Sequence, residues 1–149
     1  MPIEVAEAHA PLIYVRVHGT VRDSDVAEAA AVFDRIFLRG EKFTSLADIR
    51  DLTGIPGAAE RKAIADWMRR IEPEMKRHCV GAGNLMKSSV VRGAMTAIYW
   101  LFEPPVPQHY PATLEDGIDW CVQRLAAAGV DAAPNRASLL ADVAPKIAI

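Results

Sequence analysis

The chain has little of what most chemistries require. Its two cysteines, Cys79 and Cys121, stand far apart in 149 residues, too few for a metal cluster and not spaced as a thiol redox pair. Buried, reduced thiols are the expectation. The four histidines, His9, His18, His78 and His109, are scattered, and none has a ligand partner three or four positions on. That spacing argues against a metal site. No G-x-S-x-G surrounds a serine, and the "GAGN" at 81–84 lacks the remaining glycine of a dinucleotide fingerprint, so no cofactor is expected.

An excess of one charge is missing too. Seventeen basic residues against 19 acidic ones leave a net charge of −2, with no positive field to hold a phosphate backbone or an anionic membrane. Nucleic acid is therefore not an expected partner. Long hydrophobic runs are also absent. The longest apolar stretch, "VVRGAMTAIYWLF" from Val90 to Phe102, contains Arg92 and is closed by "EPPVP". It is about 13 residues long where a bilayer needs about 20, so it predicts a mostly buried helix and not a transmembrane segment. The opening "MPIEVAEAHAPLIYVRV" carries acids early and no basic lead into an apolar run. It does not read as a signal peptide, and a cytoplasmic location is the expectation.

What is present is a globular composition, 51% hydrophobic and 24% charged, of a length suited to one core. "IEVAEA" and "LIYVRVHG" alternate with period two around the short turn "HAP", predicting a β-hairpin. Ile13, Val15 and Val17 fall on one side of the second strand, and Tyr14, Arg16 and His18 on the other. Asp23 or Asp25 is placed to cap a helix whose stripe is Val26, Ala30, Phe33 and Phe37, with Gly40 as its left-handed exit. A strand over 44–49 follows. The next helix carries Ile64, Trp67, Met68, Ile71 and Met75, and Pro73 inside that pattern predicts a kink or short break near Ile71.

"CVGAGNLM" reads as a central strand buried on both faces. Ser88 or Ser89 is placed to cap the apolar helix, "VPQHYPA" suits an edge strand, and Thr113 starts a helix that Gly129 ends. The fold class is α/β, a single domain in the order β-β-α-β-α-β-α-β-α, with a mostly parallel mixed sheet of about five strands and one antiparallel member. Residues 1–129 form that domain. Residues 130–149 are a tail with a short helix near 137–143, apolar enough to pack on its own domain or on a second copy in a homodimer.

In open α/β sheets ligands meet the carboxyl ends of strands, where helix N-termini present their amides. Two segments qualify, "DIRDLTGIPG" at 48–57 and "NLMKSSVVR" at 84–92. With the two strands as neighbours, Asp48, Arg50, Asp51, Thr53, Ser88, Ser89 and Arg92 line one rim suited to a carboxylate or phosphate of a partner. A catalytic reading needs Asp48, Asp51 and Arg92 convergent in a cleft with separated carboxylate pKa values. Strand-end aspartates more often accept turn amides, and no enzyme activity is expected. Trp67, Trp100 and Trp120 fall on three different helices, as core fillers. Alternatively Tyr99, Trp100 and Phe102 leave an exposed patch for a partner or lipid.

Five phrases, "LIYVRVHGTV", "LADIRDLTG", "ERKAIADWMRRIEPEMKRHCVGAGNLM", "SSVVRGAMTAIYWL" and "LEDGIDWCVQRL", resemble bacterial STAS-like proteins. These are distant relatives of the sporulation anti-anti-sigma factor and of the cytoplasmic domain of sulfate transporters. The resemblance spans about residues 3–125. It implies a small α/β fold acting as a non-catalytic regulatory or scaffolding module that binds a protein partner.

In the anti-anti-sigma branch a serine opening the helix after the third strand accepts phosphate. That position falls within 55–60 here, where "IPGAAE" holds no serine or threonine. Thr53 lies just upstream, where a phosphate carrying roughly −1.5 to −2 charge would be repelled by Asp48 and Asp51. Thr53 is expected to be unmodified, and an intact mass shifted by one phosphoryl group would contradict this. The fold is also related in outline to CRAL-TRIO lipid-transfer proteins, which implies a second reading: a small hydrophobic or lipid-like ligand in a pocket beside the helix at 90–102.

Overall fold

Alternation at 12–19 produces a strand with two buried faces rather than one. β2 (Leu12–Gly19) pairs antiparallel with β1 (Ile3–Ala6), Ile3 opposite Val17, and parallel with β3 (Phe43–Leu52), Tyr14 opposite Leu46. The computed structural model describes residues 2–54, 56–101 and 103–147. Among them, β3 pairs parallel with β4 (Cys79–Leu85), and β4 pairs parallel with the two-residue edge strand β5 (Gln108–His109). The sheet order is β1-β2-β3-β4-β5, a mixed five-stranded sheet in which β1 is the antiparallel member.

Helices cover both faces. Leu12, Tyr14, Leu46 and Leu85 pack against Leu114, Ile118, Cys121 and Leu125 of α4 (Leu114–Ala127), and against Leu139 and Val143 of α5 (Ala133–Ile147). On the other face Ile13 and Val15 meet Phe33, Ile36 and Phe37 of α1 (Asp23–Leu38) and Ile71 of α2 (Ala58–His78). α3 (Ser89–Leu101) lies beside α2 on that second face. The α5 helix is longer than the short segment expected, and it closes the first core instead of trailing from it.

Local signals act where the chain chemistry places them, with two corrections. Gly40 and Gly129 end α1 and α4 at φ 67° and 84°, backbone that only glycine adopts at little cost. Thr113 Oγ1 accepts from the Asp116 N–H at 3.1 Å, as a cap should. The α1 cap is different: Arg22 holds the cap position, and Asp25 sits inside the first turn with its carboxylate accepting from the Arg22 N–H at 2.8 Å. The second correction is α2, which runs unbroken through Pro73. Pro73 is exposed, so its ring lies on the solvent side of the helix and away from the core.

Candidate functional site

Parallel pairing of β3 with β4 sets Asp48 opposite Leu85, so the chain leaves both strands at the same end of the sheet to start α2 and α3. The rim residues are brought to that end, but their side chains divide. Asp48 is 2% exposed and points to the α4–α5 face, where Tyr14 donates its hydroxyl to Oδ2 at 2.6 Å. Arg50 completes the set through Nε at 2.9 Å, a second guanidinium N–H at 2.8 Å and its backbone N–H at 3.2 Å. Burial alone would raise the Asp48 pKa. Hydrogen bonds from Arg50 and Tyr14 outweigh it, and the carboxyl is held below its ordinary range.

The other rim residues are mostly engaged. Asp51 accepts from Arg16 at 3.2 Å, and Arg16 reaches Glu4 at the same distance. Ser88 Oγ accepts from the Val90 N–H at 3.1 Å and so caps α3. Thr53 and Ser89 are exposed, and Arg92 lies over the Tyr110 ring at 5.8 Å. Trp100 is 83% exposed, Tyr99 is half-buried, and Phe102 lies outside the described residues. Among the described residues no group of His, Cys, Asp or Glu is placed to hold a metal, and no helix is long and apolar enough to cross a membrane.

On the opposite face of the sheet lies a cavity of about 220 Å³. Its floor is the strand positions that point away from Asp48, among them Val15, Ser45, Ala47 and Ala82. Its walls are Phe33 of α1, Trp67 and Met68 of α2, and Ala94, Met95 and Ile98 of α3. Small residues on the floor leave the space, because Ala47 and Ala82 cannot reach helices held off by Phe33, Trp67 and Ile98. None of the described residues lining it is charged.

Polar groups at the cavity are few. Asn84 Nδ2 donates to Gln108 Oε1 at 3.0 Å, the Tyr99 hydroxyl donates to the same oxygen at 3.3 Å, and Gln108 Nε2 donates to the Val106 carbonyl at 3.2 Å. Burial, with a smaller contribution from Tyr110, raises the Tyr99 phenol above its ordinary value, so it stays a neutral donor. Trp67 meets Phe33 edge-on at 5.7 Å between centroids, and its indole Nε1–H is buried with no acceptor. Periodicity in the sequence locates the helices around this space but not the space itself. The available signal was the run of alanine and serine on β3 and β4 opposite large residues on α1 and α2.

No family model matches the chain, and no curated protein matches it. Among solved structures it is similar to an uncharacterized protein from the DUF3478 family with a SpoIIAA-like fold, from Shewanella loihica PV-4. The two are 12% identical with a TM-score of 0.57, over 80% of this chain and 91% of that one. The likeness shows the fold: this chain is a single α/β domain of SpoIIAA-like, that is STAS-like, architecture.

Proposed function

We propose that the chain is a non-catalytic binder of a small hydrophobic ligand, held between the sheet and helices α1, α2 and α3. The observation that carries this is the cavity of about 220 Å³ with apolar walls. An apolar cavity of about 150 Å³ already stays dry and takes up benzene, so by volume this one suits a ligand of roughly nine heavy atoms. Close packing is the rule inside small domains, and a void of this size forgoes contacts that a ligand restores. Met68, Met75 and Met95 in the lining add side chains that adapt to an occupant's shape.

The test is titration of the isotope-labelled protein with α-methylstyrene, followed by amide and methyl shifts. Saturable shifts at Val15, Ala47, Ala82 and Ala94 are expected, and Ala94→Phe, which fills the space, should abolish them while raising the melting temperature. Shifts confined to the exposed surface around Trp100 would end the reading.

A regulatory contact of STAS-like type is the second reading. It is supported by Thr53, Ser89 and Arg92, which stay exposed where α2 and α3 begin. Asp48 and Ser88 are less useful to it, since Arg50, Tyr14 and the α3 amide already occupy their oxygens. Under this reading Arg92→Ala weakens binding of a phosphorylated or carboxylate-bearing partner with the melting temperature nearly unchanged. A large loss of stability would instead make Arg92 a structural residue.

A further inference from the structure

Helix α3 is apolar on two sides. Val91, Ala94, Met95 and Ile98 line the cavity. A second stripe, Val90, Gly93, Ala97 and Trp100, runs along the outer side at spacings of three, four and three. A helix apolar over so much of its surface is normally covered all round. Here Val90 is 57% exposed and Trp100 83%, Gly93 is exposed, and Ala97 is half-buried. A side chain built at Gly93 would meet nothing within 4 Å, so no described residue closes over the middle of the stripe.

That spacing is the seam by which one helix packs along another, and Gly93 and Ala97 allow close approach at its middle. The stripe is also complementary to itself when reversed. In an antiparallel pair about a two-fold axis at the level of Met95, Val90 of each copy meets Trp100 of the other, and Gly93 meets Ala97. A large side chain falls opposite a smaller one, with the open space beside Gly93 left for the edge of the indole. The same register brings Lys87, exposed just before the helix, to Glu103, exposed just after it. A parallel pair would set lysine against lysine and glutamate against glutamate. Charge therefore selects the antiparallel arrangement.

From this pattern we infer that the outer face of α3 is a homodimer contact, covered by a second copy of the chain in antiparallel register through Val90, Gly93, Ala97 and Trp100. Such a contact uses the same patch on both copies and closes at two. Two short helix faces bury less than the about 1,200–2,000 Å² of a standard interface, so the dimer is weak and dissociates on dilution. It is independent of the ligand reading, because the stripe lies outside the cavity.

Sedimentation velocity from micromolar to millimolar protein tests it. The wild type should move from the mass of one chain towards two as concentration rises. Gly93→Glu puts a charge on the seam where the single chain has room for it, and glutamate is a better helix former than glycine. This variant should stay monomeric throughout, with a melting temperature in dilute solution no lower than that of the wild type. Lys87→Glu should weaken the dimer about fivefold, and adding Glu103→Lys should restore it.

A wild type that stays monomeric at the highest concentration overturns the inference. So does association that Gly93→Glu leaves intact, which would put the contact elsewhere. A double charge swap that fails to restore what Lys87→Glu lost overturns the register and the inference with it. A monomer whose tryptophan fluorescence shifts to the blue on phosphatidylglycerol vesicles, and loses that shift in Trp100→Phe, would make a lipid surface the occupant of this face instead. None of these outcomes bears on titration of the cavity.

Discussion

Asp48 gathers four hydrogen bonds, one from Tyr14 and three from Arg50, in a site almost closed to water. Because its folded pKa lies below that of an unfolded aspartate, near 3.9, it contributes stability above about pH 4, and that contribution is lost as pH falls through the folded value. Urea unfolding of the wild type should therefore weaken steadily below about pH 5. Asp48→Asn should cost about 1–3 kcal/mol at pH 7, since Arg50 keeps its charge without a counter-ion, and should flatten the acid decline. A variant whose pH profile parallels the wild type would show that the acid sensitivity arises elsewhere.

This pairing was only half legible in the sequence. Arg50 is two positions away, but Tyr14 comes from a neighbouring strand, and nothing local announces which face of β3 the carboxylate takes. The cysteines are simpler. Burial pushes the Cys79 thiol up to about 11 and the Cys121 thiol up to about 12, so neither is a thiolate at neutral pH. Ellman's reagent at pH 8 should give no rapid colour with native protein and two thiols per chain after unfolding. Rapid reaction of the native form would contradict the burial of both.

At the scale of elements, α5 is tied to the hairpin by specific contacts as well as by its apolar side. Asn135 donates to the Ala10 carbonyl at 2.7 Å, and the His9 ring lies between Ser138 Oγ at 2.9 Å and Asp142 Oδ2 at 3.0 Å. Arg136 pairs with Asp119 of α4, and Leu139 and Val143 are buried with Leu12 and Ile118. Full burial of two such aliphatic side chains contributes at least about 3 kcal/mol, so a chain ending at residue 129 should lose that much or more. The exposed apolar face should also raise the mass seen by light scattering. A truncated chain that stays monomeric with an unchanged melting temperature would make α5 an accessory. The sequence pointed to a short helix near 137–143; the helix starts earlier, with Pro134 in its first turn, where its missing N–H costs nothing.

Across the whole molecule the two faces of one sheet are filled differently, which pattern reading does not distinguish. Both faces show apolar alternation at the same period, yet Ile118, Cys121 and Leu125 leave no space against Leu46 and Leu85, while Ala47 and Ala82 leave a cavity against Trp67 and Ile98. The difference is one of side-chain volume summed over elements distant in sequence, so it emerges only when they meet. Unfolding eliminates internal voids, and a protein's volume change on unfolding scales with them, commonly about −20 to −100 mL/mol. High-pressure fluorescence or NMR should therefore find wild-type unfolding favoured by pressure to the extent that this half-open space is dry. Ala94→Phe, which occupies the void from α3, should make the volume change clearly less negative. Substituting Ile118→Ala on the filled face should make it more negative, and by the usual cost of opening a new cavity should remove about 2–5 kcal/mol of stability. An unchanged pressure response in Ala94→Phe would mean that the space beside α3 is already filled in solution, and the reading of it as a ligand site would lose its physical basis.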